Sequence, residues 1–253
     1  MKSSERTWEK MGKMAPYYSV LVAEEFKPEN LSDTNLSAFF DSGREHVTRL
    51  MQIVRDFRPG FIPRSVVDFG CGVGRVTIPL AEACSRVIAV DISESMLQEA
   101  RKNCESRRVN NVTFMTTREF LCLPESSVGF VHSFIVLQHI PTAEGYTLIA
   151  KLISILEDGG VGAIHVSFGD DRSRLPRILS WIKINVPGAA QLHNLLRGQP
   201  VSYPPMRMNS YQLDRIFRML HDSGCHKVLS HFSRHGKHLG LFLIFEKSAL
   251  EPF

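Results

Sequence analysis

With 253 residues, 43% of them hydrophobic and 22% charged, the chain has enough apolar material for a full core and is excluded from the disordered class. No window approaches the roughly 18 uninterrupted apolar residues of a membrane span, and the opening MKSSERTWEKMGK lacks the apolar core of a signal peptide. The net charge is a mild +4, and the five scattered cysteines (Cys71, Cys84, Cys104, Cys122, Cys225) form no C-x-x-C, which argues against a disulfide framework or zinc site and for a reducing cytoplasm.

In chain order, Glu5–Phe26 and Leu36–Phe57 read as helices, the second with apolar positions at Phe39, Phe40, Val47, Leu50, Met51 and Val54. Arg58-Pro59-Gly60 breaks the pattern. Strands are expected at Ser65–Phe69, Val87–Val90, Val112–Met115, Phe130–Phe134 and Gly160–Val166, with helices at Gly74–Ala83, Ser93–Arg107 and Thr142–Leu156 between them. Such alternation implies right-handed crossovers and a parallel sheet with helices on both faces. A last helix, Ser210–Ser223, precedes Lys227–Ser233 and Leu239–Glu246, which read as an antiparallel hairpin on the sheet edge.

The charge is unevenly placed. Between Gly169 and Met208 lie Arg172, Arg174, Arg177, Lys183, Arg197 and Arg207 against only Asp170 and Asp171, while the rest of the chain balances. RLPRILSWIKI places Leu175, Ile178, Leu179 and Ile182 on one side, and AAQLHNLLRG repeats the amphipathic pattern. The segment is too long for a plain connection. A helical lid with a solvated basic rim is the simpler expectation. The sharper one is recognition of a phosphate-bearing acceptor, with the apolar side against a membrane surface.

In DFGCGVGR, Gly70 turns the chain off the first strand, Gly72 lets a ligand approach the backbone, and Gly74 allows the next helix to pack closely. A dinucleotide site needs a further glycine at the position after Gly74, where Arg75 stands. A P-loop needs Gly-Lys-Ser/Thr, which is absent. Asp68, two positions before the first glycine, repels pyrophosphate and suits a cationic amino or sulfonium group. Asp91 ends the second strand 21 residues after Gly70, where a carboxylate can take both ribose hydroxyls.

With these features in place, the sequence resembles the class I S-adenosylmethionine-dependent methyltransferases. VVDFGCGVGR is similar to the first family motif, AVDISESMLQEAR to the second, SVGFVHSFIVLQHIP to the fourth strand and its exit, and LEDGGVGAIHV to the approach to the fifth. WEKMGKMAPYYSVL and FFDSGREHV also resemble methyltransferases that modify sugars or glycans. Val128-Gly129 and Thr116-Thr117 depart from the family's usual Phe-Asp and Gly-Asp.

The resemblance implies a Rossmann-like seven-stranded α/β sheet, mostly parallel with a C-terminal antiparallel hairpin and helices on both faces. It implies a single domain over 1–253: a helical extension (1–60), a cofactor-binding core (61–168), a basic helical insert (169–208) and a C-terminal helix and hairpin (209–253). S-adenosylmethionine is the implied cofactor. Asp68 would face its amino end, and Gly70, Cys71 and Gly72 would offer backbone contacts. Asp91 would hold the ribose, Ile92 and Met96 would pack on adenine with Glu119 or Phe120 at its border, and Ser133 and Phe134 would offer backbone groups.

For an oxygen acceptor a general base is expected, and His139 leads because QHIP leaves the carboxyl end of a central strand. His165 is the second candidate; His235 and His238 lie in the hairpin turn. No clustered Asp, Glu and His pattern points to a metal. The basic excess is too small for a nucleic-acid partner. The acceptor expected is a sugar, glycan or other small molecule, with a non-catalytic methyltransferase-like binding protein as the alternative.

Overall fold

The structure is a computed structural model that describes residues 2–196 and 200–248, with the side chains of residues 2, 3, 174, 177 and 235 left aside. Arg197 therefore lies outside the described residues, as do the side chains of Arg174, Arg177 and His235.

Seven strands form one sheet: β1 (Ser65–Phe69), β2 (Arg86–Asp91), β3 (Val112–Thr116), β4 (Val128–Ser133), β5 (Leu156–Asp170), β6 (Lys227–His235) and β7 (His238–Glu246). Their order is β3-β2-β1-β4-β5-β7-β6. The first five are parallel, and β7 pairs antiparallel with both β5 and β6. The order in which strands are added reverses between β1 and β4, and ligands of open α/β sheets bind above strand ends at such a switch.

Alternation along the strands splits the core into two layers. Val66, Phe130, Val161, Ala163 and Ile244 face α3 (Asp33–Phe57) and α4 (Thr77–Ala83), meeting Val47, Leu50 and Val54. Val67, Val131, Ile164, Val166 and Leu243 face α7 (Thr142–Ser154) and α10 (Leu213–Asp222), meeting Ile149, Leu152 and Ile216. Each fully buried aliphatic or aromatic side chain contributes about 1.5–3 kcal/mol, so this double layer dominates stability. The helix α5 (Glu94–Ser106), capped by Ser93 accepting from the Met96 N–H, joins the α3–α4 face, where Met96 and Cys104 meet Phe39, Phe40 and Ile78.

The N-terminal helix expected over Glu5–Phe26 is divided. The first part, α1 (Lys2–Met14), ends before Ala15 (φ −155°); Pro16 then opens α2 (Pro16–Val20), and short 3-10 turns follow. Pro16 lacks the N–H that a continuing helix requires and is suited to a helix start. The third-strand exit, TTREF, is also helical: Thr116 and Glu119 form a reciprocal capping box for α6 (Thr117–Leu121). The basic insert folds as two helices, α8 (Arg174–Asn185) and α9 (Ala189–Leu196).

Candidate active site

The glycine turn is held in left-handed backbone at all three glycines, with φ of 80° at Gly70, 54° at Gly72 and 88° at Gly74. A methyl group at Gly70 would overlap the Val136 side chain, so the turn needs glycine for space as well as conformation. The N–H groups of Gly70 and Cys71 both donate to the Val90 carbonyl, at 2.7 and 2.9 Å, tying the turn to β2. The helix expected from Gly74 begins only at Thr77, because left-handed backbone at Gly74 cannot be helical. Gly43 of α3 lies where a side chain would meet the Arg75 carbonyl, which lets α3 seat directly on this turn.

Above the turn is a cavity of about 700 Å³. Of the residues singled out in the sequence, Asp68, Gly70, Cys71, Gly72, Asp91, Ile92, Met96, Phe134 and His139 line it, joined by His238 from the hairpin turn. The other four do not. Glu119 spends its carboxylate on the Thr116 N–H (2.7 Å) and hydroxyl (2.8 Å) as the cap of α6. Phe120 is fully buried against Phe69, and Thr117 takes the wall position expected of these two. Ser133 stays within β4, its buried hydroxyl without a hydrogen-bond partner among the described residues. His165, the second base candidate, is fully buried, with Nε2 2.8 Å from the Ser233 hydroxyl and its ring edge-on to Phe134. It therefore has no face on the cavity from which to act as a base.

Asp91 stands at the cavity wall with one oxygen accepting from the Gly72 N–H and the other from the Ser93 N–H, both at 2.9 Å. Burial pushes its carboxyl up to about 6, against the opposing pull of these N–H groups. It therefore holds a proton more readily than an ordinary aspartate.

Asp68 anchors a buried polar chain. Its Oδ2 accepts from the Thr77 hydroxyl (2.6 Å), and its Oδ1 lies 2.9 Å from His132 Nδ1, which must carry the hydrogen because a carboxylate only accepts. His132 Nε2 lies 3.0 Å from His46 Nε2 on α3. Burial, then the neighbouring His132 and Arg75, lower the His46 imidazole to about 2, so that ring is neutral. Arg75 itself is buried in the cavity wall. Its Nη1 donates to the Ser42 hydroxyl (3.2 Å), while Nε has no partner among the described residues.

The far end has different chemistry. His139 lies in a 3-10 turn leaving β4, with Nδ1 2.9 Å from the Arg207 carbonyl. A carbonyl only accepts, so Nδ1 bears the hydrogen and Nε2 presents its lone pair. Gln138 agrees with this tautomer: its carbonyl accepts from Ser167 (2.9 Å), which turns its NH2 group toward His139 Nε2 at 3.2 Å. Burial lowers the imidazole, against the upward pull of the Arg207 carbonyl, and keeps it neutral near pH 7. Trp8 packs edge-on to the His139 ring, and Ile140, Leu148, Met206 and Met208 make the surrounding wall apolar. Ile135, also in the wall, is held at φ 61°, a conformation that costs a β-branched residue roughly 1–3 kcal/mol.

Trp8 reaches the cavity because α1 docks on the start of α5. Glu9 accepts from the Ser93 hydroxyl (2.8 Å), the Ser95 N–H (3.1 Å) and the Ser95 hydroxyl (2.6 Å). Burial pushes the Glu9 carboxyl upward, but these bonds together hold it at about 2.

Sequence reasoning missed Trp8, His46, Arg75 and His132 as site residues. Arg75 carries a local signal, a charge placed inside a run of otherwise apolar residues, and Trp8 and His46 lie in the two N-terminal stretches that bear the glycan-methyltransferase resemblance. His46 lies 86 residues from His132, a pairing no local pattern reveals.

Residues 66–160 match a family model described as a methyltransferase domain. The magnesium-protoporphyrin O-methyltransferase of Synechocystis is 38% identical over 101 residues, 39% of this chain and 42% of that protein. The demethylmenaquinone methyltransferase of Tropheryma whipplei is 25% identical over 162 residues, 63% of this chain and 65% of that one. The chain thus matches less than two thirds of the length of either relative. The crystal structure of magnesium protoporphyrin IX methyltransferase from Synechocystis with bound S-adenosylhomocysteine aligns over 98% of this chain and 99% of that one, with TM-score 0.61 and 21% identity. The glycine turn, the strand order and the matched segment agree: residues 66–160 form a methyltransferase domain, and the chain has the fold of the class I S-adenosylmethionine-dependent methyltransferases.

Proposed function

We propose that the cavity binds S-adenosylmethionine across the β1–β2 turn and that the chain methylates an oxygen of a small-molecule acceptor at the His139 end. The observation that carries this reading is the pairing, in one cavity, of Asp91 beside the glycine turn with a histidine whose tautomer is fixed for proton acceptance. The donor set fits a zwitterionic nucleoside. Asp91 accepts ribose hydroxyls, and the N–H-rich turn at Gly70, Cys71 and Gly72 approaches without side-chain obstruction. Ile92, Met96 and Thr117 enclose the base. Asp68 supplies negative charge near an ammonium group, and Arg75, with a buried Nε in need of a partner, supplies positive charge for a carboxylate.

When bound, S-adenosylmethionine supplies a methyl group on a positively charged sulfur that leaves as a neutral thioether. The protein contributes alignment and a dry wall; alignment alone is worth on the order of 7–11 kcal/mol. His139 Nε2 takes the proton of an acceptor hydroxyl, displacing its present contact with the Gln138 amide. The Arg207 carbonyl holds the resulting imidazolium through Nδ1–H.

A sugar or glycan, the class suggested by the N-terminal helices, offers suitable hydroxyl groups. The apolar wall of Trp8, Ile140, Leu148, Met206 and Met208 favours an acceptor that carries its oxygen on an apolar body. A panel of apolar hydroxyl or carboxyl compounds beside glycan acceptors, read by S-adenosylhomocysteine release and product mass, tests this. Turnover on the apolar compounds is the expected result. Turnover confined to glycans overturns the acceptor assignment, and no turnover with any oxygen nucleophile overturns the reaction class.

A further inference from the structure

The two helices of the basic insert bury little of their apolar surface. On α8, Leu175 is 73% exposed and Trp181 62%, with Leu179 beside them; on α9, Leu192, Leu195 and Leu196 are exposed, the last at 78%. Positions 175 and 179, and 192, 195 and 196, have the spacing of single helix faces. These are amphipathic helices with the apolar sides outward. In a protein whose core strands are fully buried, an exposed apolar surface of this extent marks an interaction site.

The charge of the insert sequence selects its occupant. The only acidic residues of the insert are already paired: Asp170 with Arg172 through a fork at 2.7–2.9 Å, and Asp171 with Arg234 at 2.6 Å. From Arg172 to Leu213 the sequence has no acidic residue, and apart from Arg172, which Asp170 neutralises, it carries Arg174, Arg177, Lys183, Arg197 and Arg207. A second copy of the chain would bring like charges together across a twofold contact. An anionic lipid surface meets both demands, accepting apolar side chains below the headgroup level and attracting the basic ones above it. Trp181 suits that boundary.

The insert also borders the cavity at both ends. Asp170, four residues before α8, is paired in the sheet with the cavity residue His238. Behind α9, buried Asn194 donates to the carbonyls of Pro200 (3.3 Å) and Tyr203 (2.9 Å), on the return segment that continues to Met206.

We propose that α8 and α9 form a peripheral docking surface for an anionic phospholipid membrane, holding the cavity mouth at the bilayer surface. The surface does not depend on the acceptor assignment above. The test uses the full chain with vesicles of phosphatidylcholine, with and without phosphatidylglycerol, followed by co-sedimentation and tryptophan emission. Only Trp8 and Trp181 emit, so a Trp181→Phe variant identifies the source of any shift. Docking predicts binding to the anionic vesicles, a blue shift that Trp181→Phe removes, and weakening by salt. Leu175→Asp/Leu179→Asp should lower partitioning about tenfold or more, with circular dichroism and S-adenosylhomocysteine binding unchanged because both residues are exposed. The proposal is overturned if anionic vesicles leave the protein in solution at low salt, or if the double variant binds them as well as the parent. It is equally overturned if Trp181 shifts only with protein concentration, indicating self-association, or only with added cofactor, indicating closure of a lid.

Discussion

The central strands β1 and β4 and the α8–α9 insert use the same kinds of residue to opposite ends. In β1 and β4, Val66, Val67, Phe130 and Val131 are wholly buried, and each has helix side chains over it. In α8 and α9 a comparable density of Leu, Ile and Trp faces outward. The difference lies in covering: the sheet has α3, α4, α7 and α10 packed on it, whereas the outward faces of the insert have nothing above them among the described residues. Apolar pattern therefore identifies an element, and only its neighbours decide whether the pattern makes a core or a surface for something else.

The sharpest way to break that comparison is to place the same charge in both regions. Leu152→Asp, at a fully buried position of α7, buries an unpaired carboxylate and removes a core side chain; a loss above about 4 kcal/mol is expected, enough to unfold a marginal domain. Leu192→Asp, on exposed α9, should change stability by less than about 0.5 kcal/mol. Urea denaturation of the two variants reads the contrast, and equal losses would mean that α9 is packed.

Within the site, the largest effect is expected at His139. Loss of a general base typically costs 10²–10⁴-fold, so His139→Ala should lower turnover by that order and leave S-adenosylhomocysteine affinity nearly unchanged. The rate profile of the parent should have an acidic limb below the usual histidine range, because burial lowers this imidazole; the variant should lack it. Unchanged turnover would leave His139 as a loop anchor to Arg207.

Arg75→Met separates the two ends of the bound nucleoside. A hydrogen bond to a charged group is worth about 1.5–3 kcal/mol, so the variant should bind S-adenosylmethionine roughly tenfold more weakly. Affinity for methylthioadenosine, which has no amino-acid end, should hold. Equal losses for both ligands would show that Arg75 supports the turn and does not contact the carboxylate.

The smallest effect is one of pH. The Asp91 carboxyl is raised from its ordinary 3.8 to about 6, so below that pH the free protein holds a proton which ribose hydroxyl donors must displace. Affinity for S-adenosylhomocysteine should fall about tenfold per pH unit below 6 and level off above it. The same raised value favours the folded state most below 3.8, and that contribution fades as pH rises through about 6. Affinity independent of pH between 5 and 7 would place the ribose elsewhere.

Much of this was legible beforehand, for local reasons. The strand–helix alternation, the glycine turn, Asp91 and the exit at His139 are each written within a few consecutive residues, and all occupy the same end of the sheet. The N-terminal stretch looks like one helix because its amphipathic pattern runs on across Pro16, where the backbone breaks it in two. Glu119 and Phe120 lie off the cavity because the Thr116–Glu119 capping box makes the strand exit TTREF a helix and turns Phe120 into the core. The chain Asp68–His132–His46 joins three elements, and the left-handed Ile135 runs against every propensity of its residue type; only the folded arrangement reveals either one.

The central claim, that the cavity over the glycine turn holds S-adenosylmethionine with Asp91 on its ribose, is tested most directly by isothermal titration of S-adenosylhomocysteine into the parent protein and Asp91→Ala. The account predicts stoichiometric binding to the parent and at least about tenfold weaker binding to the variant, since hydrogen bonds worth about 1.5–3 kcal/mol each to a charged acceptor are lost, with the fold intact by circular dichroism. Equal affinity in the two proteins, or no binding to the parent, would contradict it.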